Sequence, residues 1–204
     1  MTSQTLPNFK VFDLYDLSEV QVNDEGLKEV INLQPRLILK SQGRNAKLKL
    51  GQVKVNVIER LVNRLPTAGH RGKKHKVEKG TSTGKYSKNF KIILDALQMI
   101  EKRKNVNPVQ VLVKAIENSS PRDEVTVIEY GGARYPQAVD VSPLRRVNLA
   151  LRWLVQGASD KAFNKKKTIA QGLADEIILA SEENGDSFAF RKKKESEAQA
   201  DSAR

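Results

Sequence analysis

Cysteine is absent from the 204 residues, which excludes disulfides, thiolate nucleophiles and thiolate metal sites. Histidine is almost absent too. His70 and His75 are the only two, too few to complete the usual zinc ligand sets. No apolar run approaches the ~18 residues of a membrane span. The early Leu14, Leu17 and Val20 sit among Asp13, Asp16 and Glu19, unlike a secretory signal. Acid is scarce relative to base, with 24 Asp and Glu against 36 Lys and Arg, a formal surplus of +12. These shortages predict a protein of a reducing compartment with no metal, cofactor or membrane partner.

What is present is positive charge in blocks. The stretch from Arg64 to Lys91 holds nine bases against one acid, Glu78. Arg36 to Asn63 holds seven bases against Glu59 alone, while Met1 to Pro35 holds six acids and two bases. A further basic cluster runs from Arg145 to Lys167, followed by acids at Asp175, Glu176, Glu182 and Glu183. Uncompensated charge of this density repels itself, and a polyanion relieves the repulsion. Nucleic acid is the commonest such partner, since each neutralised phosphate releases counterions. A unit of this length buries roughly 70% of its unfolded surface, so it needs no covalent staples.

Hydrophobic periodicity predicts a mainly α protein, a helical domain of five or six helices with a protruding two-stranded β-ribbon. Val55, Ile58, Leu61, Val62 and Leu65 form a helical stripe ending before Pro66, with Lys54, Arg60 and Arg64 on its polar flank. Phe90, Ile93, Leu94, Leu97 and Ile100 mark a second helix, closed by Lys102-Arg103-Lys104. Asn107-Pro108 caps a third. Val125 to Tyr130 and Ala133 to Val139 are β-rich runs joined by Gly131-Gly132, which predicts a tight hairpin at about 124–140. Ser142-Pro143 opens another helix buried through Val147, Ala150, Leu151 and Leu154, with Arg145 and Arg152 on a different face. Thr168 to Gln171 fits a capping box for the next. Residues 1–35 read as an acidic, loosely docked arm, 36–186 as the helical domain and 187–204 as a basic tail or helix.

The sharpest candidate site is the loop Gly69-His70-Arg71-Gly72-Lys73-Lys74-His75-Lys76. Glycines allow close backbone approach to phosphate, the bases supply charge, and Arg44, Lys47 and Lys49 repeat that charge upstream. Gly80 to Lys85 fails as a nucleotide-binding loop, having three residues between its glycines where the motif needs four. Asp123-Glu124 and Asp175-Glu176 are adjacent acids that diverge on an element and have no histidine beside them, so no acid–base grouping is expected. They read as solvated or ion-paired. Tyr130 and Tyr135 suit either base stacking or cross-strand packing, and Trp153 suits the core.

Three segments resemble the universal small-subunit ribosomal protein family numbered seven, in its archaeal and eukaryotic form. They are NPVQVLVKAIENSSPR from Asn107 to Arg122, YGGARY from Tyr130 to Tyr135, and QAVDVSPLRR from Gln137 to Arg146. The resemblance extends more loosely from Arg36 to Arg204. It implies a non-enzymatic component of the small-subunit head, cytoplasmic in the ribosome, that binds the 3′ domain of small-subunit ribosomal RNA and nucleates its folding. Implied partners are that RNA, other head proteins, and exit-site transfer RNA and messenger RNA, with no small-molecule substrate. Lys47, Lys49, Lys54, Arg71, Lys73, Lys74, Arg145 and Arg146 would contact ribosomal RNA; Arg44, His70, His75, Lys76 and Arg152 complete the expected RNA-binding set. Arg134, Tyr135 and Arg191-Lys192-Lys193-Lys194 would lie toward the exit site. Between Lys76 and Ser87 the chain departs from the family pattern by adding a polar, basic stretch. Rival readings are a DNA-architectural β-ribbon protein and an RNA-processing enzyme.

Overall fold

The computed structural model describes residues 10–12, 14–36, 38–69, 71 and 84–204. Among them are α1 (Glu25–Lys28), α2 (Val57–Arg64), α3 (Tyr86–Lys104), α4 (Pro108–Ser119), β1 (Asp123–Tyr130), β2 (Ala133–Asp140), α5 (Pro143–Ala162), α6 (Ile169–Ser181) and α7 (Phe188–Asp201). The six longer helices enclose one core, and the β-ribbon projects from it. Ile58, Leu61, Ile93, Leu97, Leu112, Ile116, Leu154 and Leu173 are fully buried, each contributing about 1.5–3 kcal/mol by leaving water.

Local chemistry sets the helix starts. The Asn107 side chain accepts from Val109 N at the start of α4, with Pro108 in the first turn, where its missing N–H costs nothing. Both arms of the Thr168–Gln171 capping box form at the start of α6. Asn56 accepts from Ile58 N to begin α2, which ends at Arg64 before Pro66. Ser142 stands at the N-cap of α5, without a side-chain hydrogen bond.

The ribbon is antiparallel, with Tyr130 opposite Ala133 and Val127 opposite Pro136. Gly131 and Gly132 sit at φ of 58° and 83°, the left-handed pair that a two-residue turn matching strand twist requires. Eight residues per strand give a reach of about 27 Å. Its base is held by α7 and the residues after it: Glu197 of α7 accepts from Arg122 N at 3.0 Å, and Arg204, past the end of that helix, pairs with Asp123 at 3.0 Å.

Two expectations change, and a third resolves between its alternatives. The N-terminal arm is not loosely docked. Val11, Tyr15, Leu17, Val20, Leu27 and Ile31 enter the core. Asn107, Gln110 and Glu117 on α4 hold its backbone, through Asp16 O at 2.8 Å, Gln21 N at 2.8 Å and Asn23 N at 2.6 Å. Arg60 is no polar flank. It is 7% exposed and donates to Val30 O at 3.1 Å and Asn148 Oδ1 at 3.2 Å, and burial pulls its guanidinium down to about 10. Of the two alternatives for Glu176, the ion pair is the one that forms: it is fully buried, with Lys161 at 2.6 Å.

Candidate nucleic-acid interface

The cationic surface grows out of the turn before α2 and the exposed faces of α2 and α5. Arg44, Lys47 and Lys49 are exposed in the turns at 42–50, and Lys54 is exposed at the end of the following 3-10 turn (Gly51–Lys54). Arg44 Nε donates to Ser41 O at 3.1 Å, which fixes the side chain near its stem and leaves the guanidinium face outward. Glu59, buried in α2, accepts from Ser41 N at 2.7 Å and so anchors this segment to the core.

Where α2 packs on α5, Arg64 lies within electrostatic range of Arg152. Burial lowers the Arg64 guanidinium from its ordinary value, and the like charge of Arg152 lowers it further. Among the described residues neither arginine has a carboxylate partner. Two like charges near enough to repel, one of them half-buried, are a place where a bound anion would relieve the repulsion.

Other expected site residues are placed differently. Arg145 is exposed but makes a two-pronged pair with Glu124 at the ribbon base, at 2.6 and 2.8 Å, and that bond holds its guanidinium above its ordinary value. Arg146, one residue on, turns inward and is 9% exposed, paired with Asp24 at 2.7 Å. Arg71 is also committed internally. It bonds Asp160 at 2.8 Å and Gln156 O at 3.1 Å, with its guanidinium 5.7 Å from the Phe188 ring centre. His70, Lys73, Lys74, His75 and Lys76 lie outside the described residues.

The ribbon carries a different chemistry. Tyr130 is 81% exposed and Tyr135 58%, with Val127 and Ile128 also open. Arg134 pairs loosely with its cross-strand neighbour Glu129 at 3.5 Å. Along α7, Arg191 and Lys194 are exposed, Lys192 pairs with Glu195 at 2.6 Å, and Lys194 lies 4.6 Å from the Phe190 ring centre. Lys193 is half-exposed on the same helix. Trp153 is half-buried against the core rather than presented as a platform.

Sequence reasoning left Arg64 out of the site, treating it as flank, although its place within the densest basic block was a usable signal. Among the described residues no group of His, Asp or Glu is arranged to hold a metal ion, and no helix is long and apolar enough to cross a membrane.

A helical body with cationic faces and a projecting ribbon defines a basic structural protein, and comparison with known sequences specifies which. The family model described as Ribosomal protein S7p/S5e matches residues 28–204. The small ribosomal subunit protein uS7 of Nanoarchaeum equitans is 50% identical over 195 residues, covering 96% of this chain and 98% of that protein. The proteins of the same name from Methanosphaera stadtmanae and Methanothermobacter thermautotrophicus are 43% and 44% identical, covering 96% and 95% of this chain and 99% and 98% of their own lengths. The chain belongs to the ribosomal protein S7p/S5e family. It is therefore a small-subunit ribosomal protein, and not an enzyme.

Proposed function

We propose that this protein binds the 3′ domain of small-subunit ribosomal RNA and fixes the geometry of the subunit head, with its ribbon and α7 turned toward exit-site transfer RNA and messenger RNA. Its work is done in the cytoplasm, within the ribosome. The observation that carries the RNA reading is a set of exposed cations, Arg44, Lys47, Lys49, Lys54 and Arg152, with Arg64 near enough to Arg152 to feel its charge and neither of these two in an ion pair among the described residues. His70, Lys73, Lys74, His75 and Lys76 add their charge to the same RNA-binding set. Arg145 borders it from the ribbon base. Arg71 and Arg146 act from behind, by holding α5 against its neighbours.

Structured RNA is recognised largely through shape, phosphates and 2′-hydroxyls. A rigid helical body suits that mode, because burying it against two RNA helices fixes their relative angle. Arg134 and Tyr135 near the ribbon tip, with Arg191, Lys192, Lys193 and Lys194 on the helix that braces its base, supply charge and an aromatic face toward the exit site.

The test is binding of the full chain to a 3′-domain transcript across a salt series. The expected log–log slope is about −0.7 to −0.9 per phosphate neutralised. Absence of binding in dilute buffer, or equal binding to duplex DNA, would overturn the reading in favour of a DNA-architectural ribbon protein. Crosslinking the ribbon to transfer RNA within intact small subunits tests the exit-site placement.

A further inference from the structure

Glu124 lies on β1 and Arg145 in the first turn of α5, 21 residues apart in the chain. Their contact is a two-pronged fork, with Arg145 Nε donating to Oε1 at 2.6 Å and Nη2 donating to Oε2 at 2.8 Å. That arrangement occupies one edge of the guanidinium. A guanidinium carries five N–H donors in one plane, so the hydrogens of the opposite edge, on Nη1 and Nη2, remain. The Arg145 side chain is 56% exposed, and among the described residues its Nη1 donates to nothing.

Bracing the ribbon does not require this fork. The ribbon base is already tied through Glu197 to Arg122 N, through Ser196 Oγ to Asp123 O at 3.3 Å, and through Val141 N to Arg122 O at 2.8 Å. Offsetting a cation at the positive end of α5, whose first turn holds no acid, needs a carboxylate nearby but not two short bonds in one plane. What the fork fixes is direction. A free arginine loses rotamer entropy on meeting a phosphate, and Arg145 has given up that freedom beforehand. The carboxylate also repels phosphate. At an exposed site that repulsion is screened by physiological salt, whereas the advantage of a donor already in place is not.

We infer that Glu124 is a positioning residue for RNA binding: it holds one edge of the Arg145 guanidinium so that the opposite edge meets a phosphate as a ready fork. The inference rests on the RNA-binding reading above and deepens it, by giving an acid a favourable part in binding a polyanion. One guanidinium then joins the ribbon base, the start of α5 and the RNA.

The experiment measures affinity of the full chain for a 3′-domain transcript at ~0.15 M salt and across a salt series. Glu124→Gln removes the charge and breaks the fork while keeping the side chain's shape. An arginine merely masked by its acid would bind RNA more tightly in this variant, with a steeper slope. We expect the opposite: affinity lowered about 3- to 10-fold with the slope unchanged. In an Arg145→Ala background the same change should cause no loss. That arm separates positioning from a structural role, since damage to the ribbon base would weaken binding with or without Arg145. Unchanged or tighter binding in Glu124→Gln, or an equal loss in both backgrounds, would overturn the inference. So would full affinity in Arg145→Ala, and in each of these cases a weakened Arg64→Ala variant leaves the RNA-binding reading standing. Wild-type affinity in Glu124→Gln, Arg145→Ala and Arg64→Ala alike would remove that reading itself.

Discussion

The Arg146 guanidinium reaches 122 residues back along the chain to Asp24, with Nη2 2.7 Å from Oδ2. That bond fastens the acidic N-terminal segment to α5, and the same Asp24 caps α1 by accepting from Gly26 N at 2.9 Å. Asn caps as well as Asp, so Asp24→Asn removes the charge and keeps the cap. We expect a loss of roughly 1–2 kcal/mol at neutral pH, since the pair is only partly buried. Burial alone would raise the Asp24 carboxyl; Arg146 and Gly26 N more than offset this, so its folded value lies below the ordinary 3.8. A carboxyl depressed on folding contributes stability that is present above its unfolded value and lost as pH falls through the folded one. The gap between wild type and Asp24→Asn should therefore close as pH falls below about 3.8. Urea melts at neutral pH and in that acid range measure it.

Arg71 gives a second separation of structure from binding. Its guanidinium is shared between Asp160 and Gln156 O and packs near Phe188. A buried tether and a phosphate ligand respond oppositely to Asp160→Asn. That change frees a cation, which would steepen the salt slope if Arg71 met RNA and leave it unchanged if Arg71 only ties the chain to α5 and α7. We expect an unchanged slope, together with about 1–2 kcal/mol lost from folding in Arg71→Ala.

These two arginines explain what was legible in the sequence and what was not. The Asn107-Pro108 cap, the Thr168–Gln171 box and the Gly131-Gly132 turn each lie within a few residues, so their chemistry can be read from spacing. Arg71 and Asp160 are 89 residues apart, and Arg146 and Asp24 are 122 apart. No local pattern distinguishes an arginine that will face α1 from one, like Arg145 beside it, that stays exposed. The N-terminal segment escaped for a related reason. Val11, Tyr15, Leu17 and Val20 follow neither helical nor strand spacing, and they dock through backbone groups held by α4 side chains. For Arg44, Lys47, Lys49 and Lys54 charge density alone sufficed to expect surface positions, and all four are exposed.

The Arg64–Arg152 pair sets stability against binding. Arg152→Glu converts a repulsion into an ion pair and should raise stability by a few tenths of a kcal/mol to about 1. If Arg152 meets RNA as proposed, the same change removes a phosphate ligand and presents RNA with an acid. We expect a melting temperature at or above that of wild type, RNA affinity lowered more than 10-fold, and a slope flatter by about 0.9. A variant that binds RNA as tightly as wild type would take this face out of the interface.

The hairpin turn isolates the ribbon from the body. Gly131 and Gly132 both hold left-handed φ with open space around them, so an added methyl meets no neighbour and its cost is conformational. Gly132→Ala should cost about 1–2 kcal/mol locally. Because the tip is solvated, global melting should hardly change, while amide exchange at Ile128 and Tyr135 accelerates. Exchange unchanged at those two amides would mean that the tip is held by something other than its turn.

Glu176 organises the other end of the ribbon's support. Fully buried on α6, its Oε1 accepts from Ser187 Oγ at 2.8 Å and Ala189 N at 3.0 Å, and its Oε2 lies 2.6 Å from Lys161 Nζ. One carboxylate thus starts α7 and neutralises a lysine. Gly157 lets α5 approach this close, since a Cβ there would fall 2.7 Å from Glu176 Cδ and 2.9 Å from Phe188 Cβ. Removing the acid strands Lys161, the Ser187 hydroxyl and the Ala189 amide, so Glu176→Ala should cost about 3–5 kcal/mol. Glu176→Gln can still accept at Ser187 and Ala189 and should lose less. Since Glu197 and Ser196 of α7 hold Arg122 and Asp123 at the ribbon base, the damage should spread there first. Amide exchange at Arg122, whose N–H is bonded by Glu197, should accelerate in Glu176→Ala well before the α3–α4 core opens.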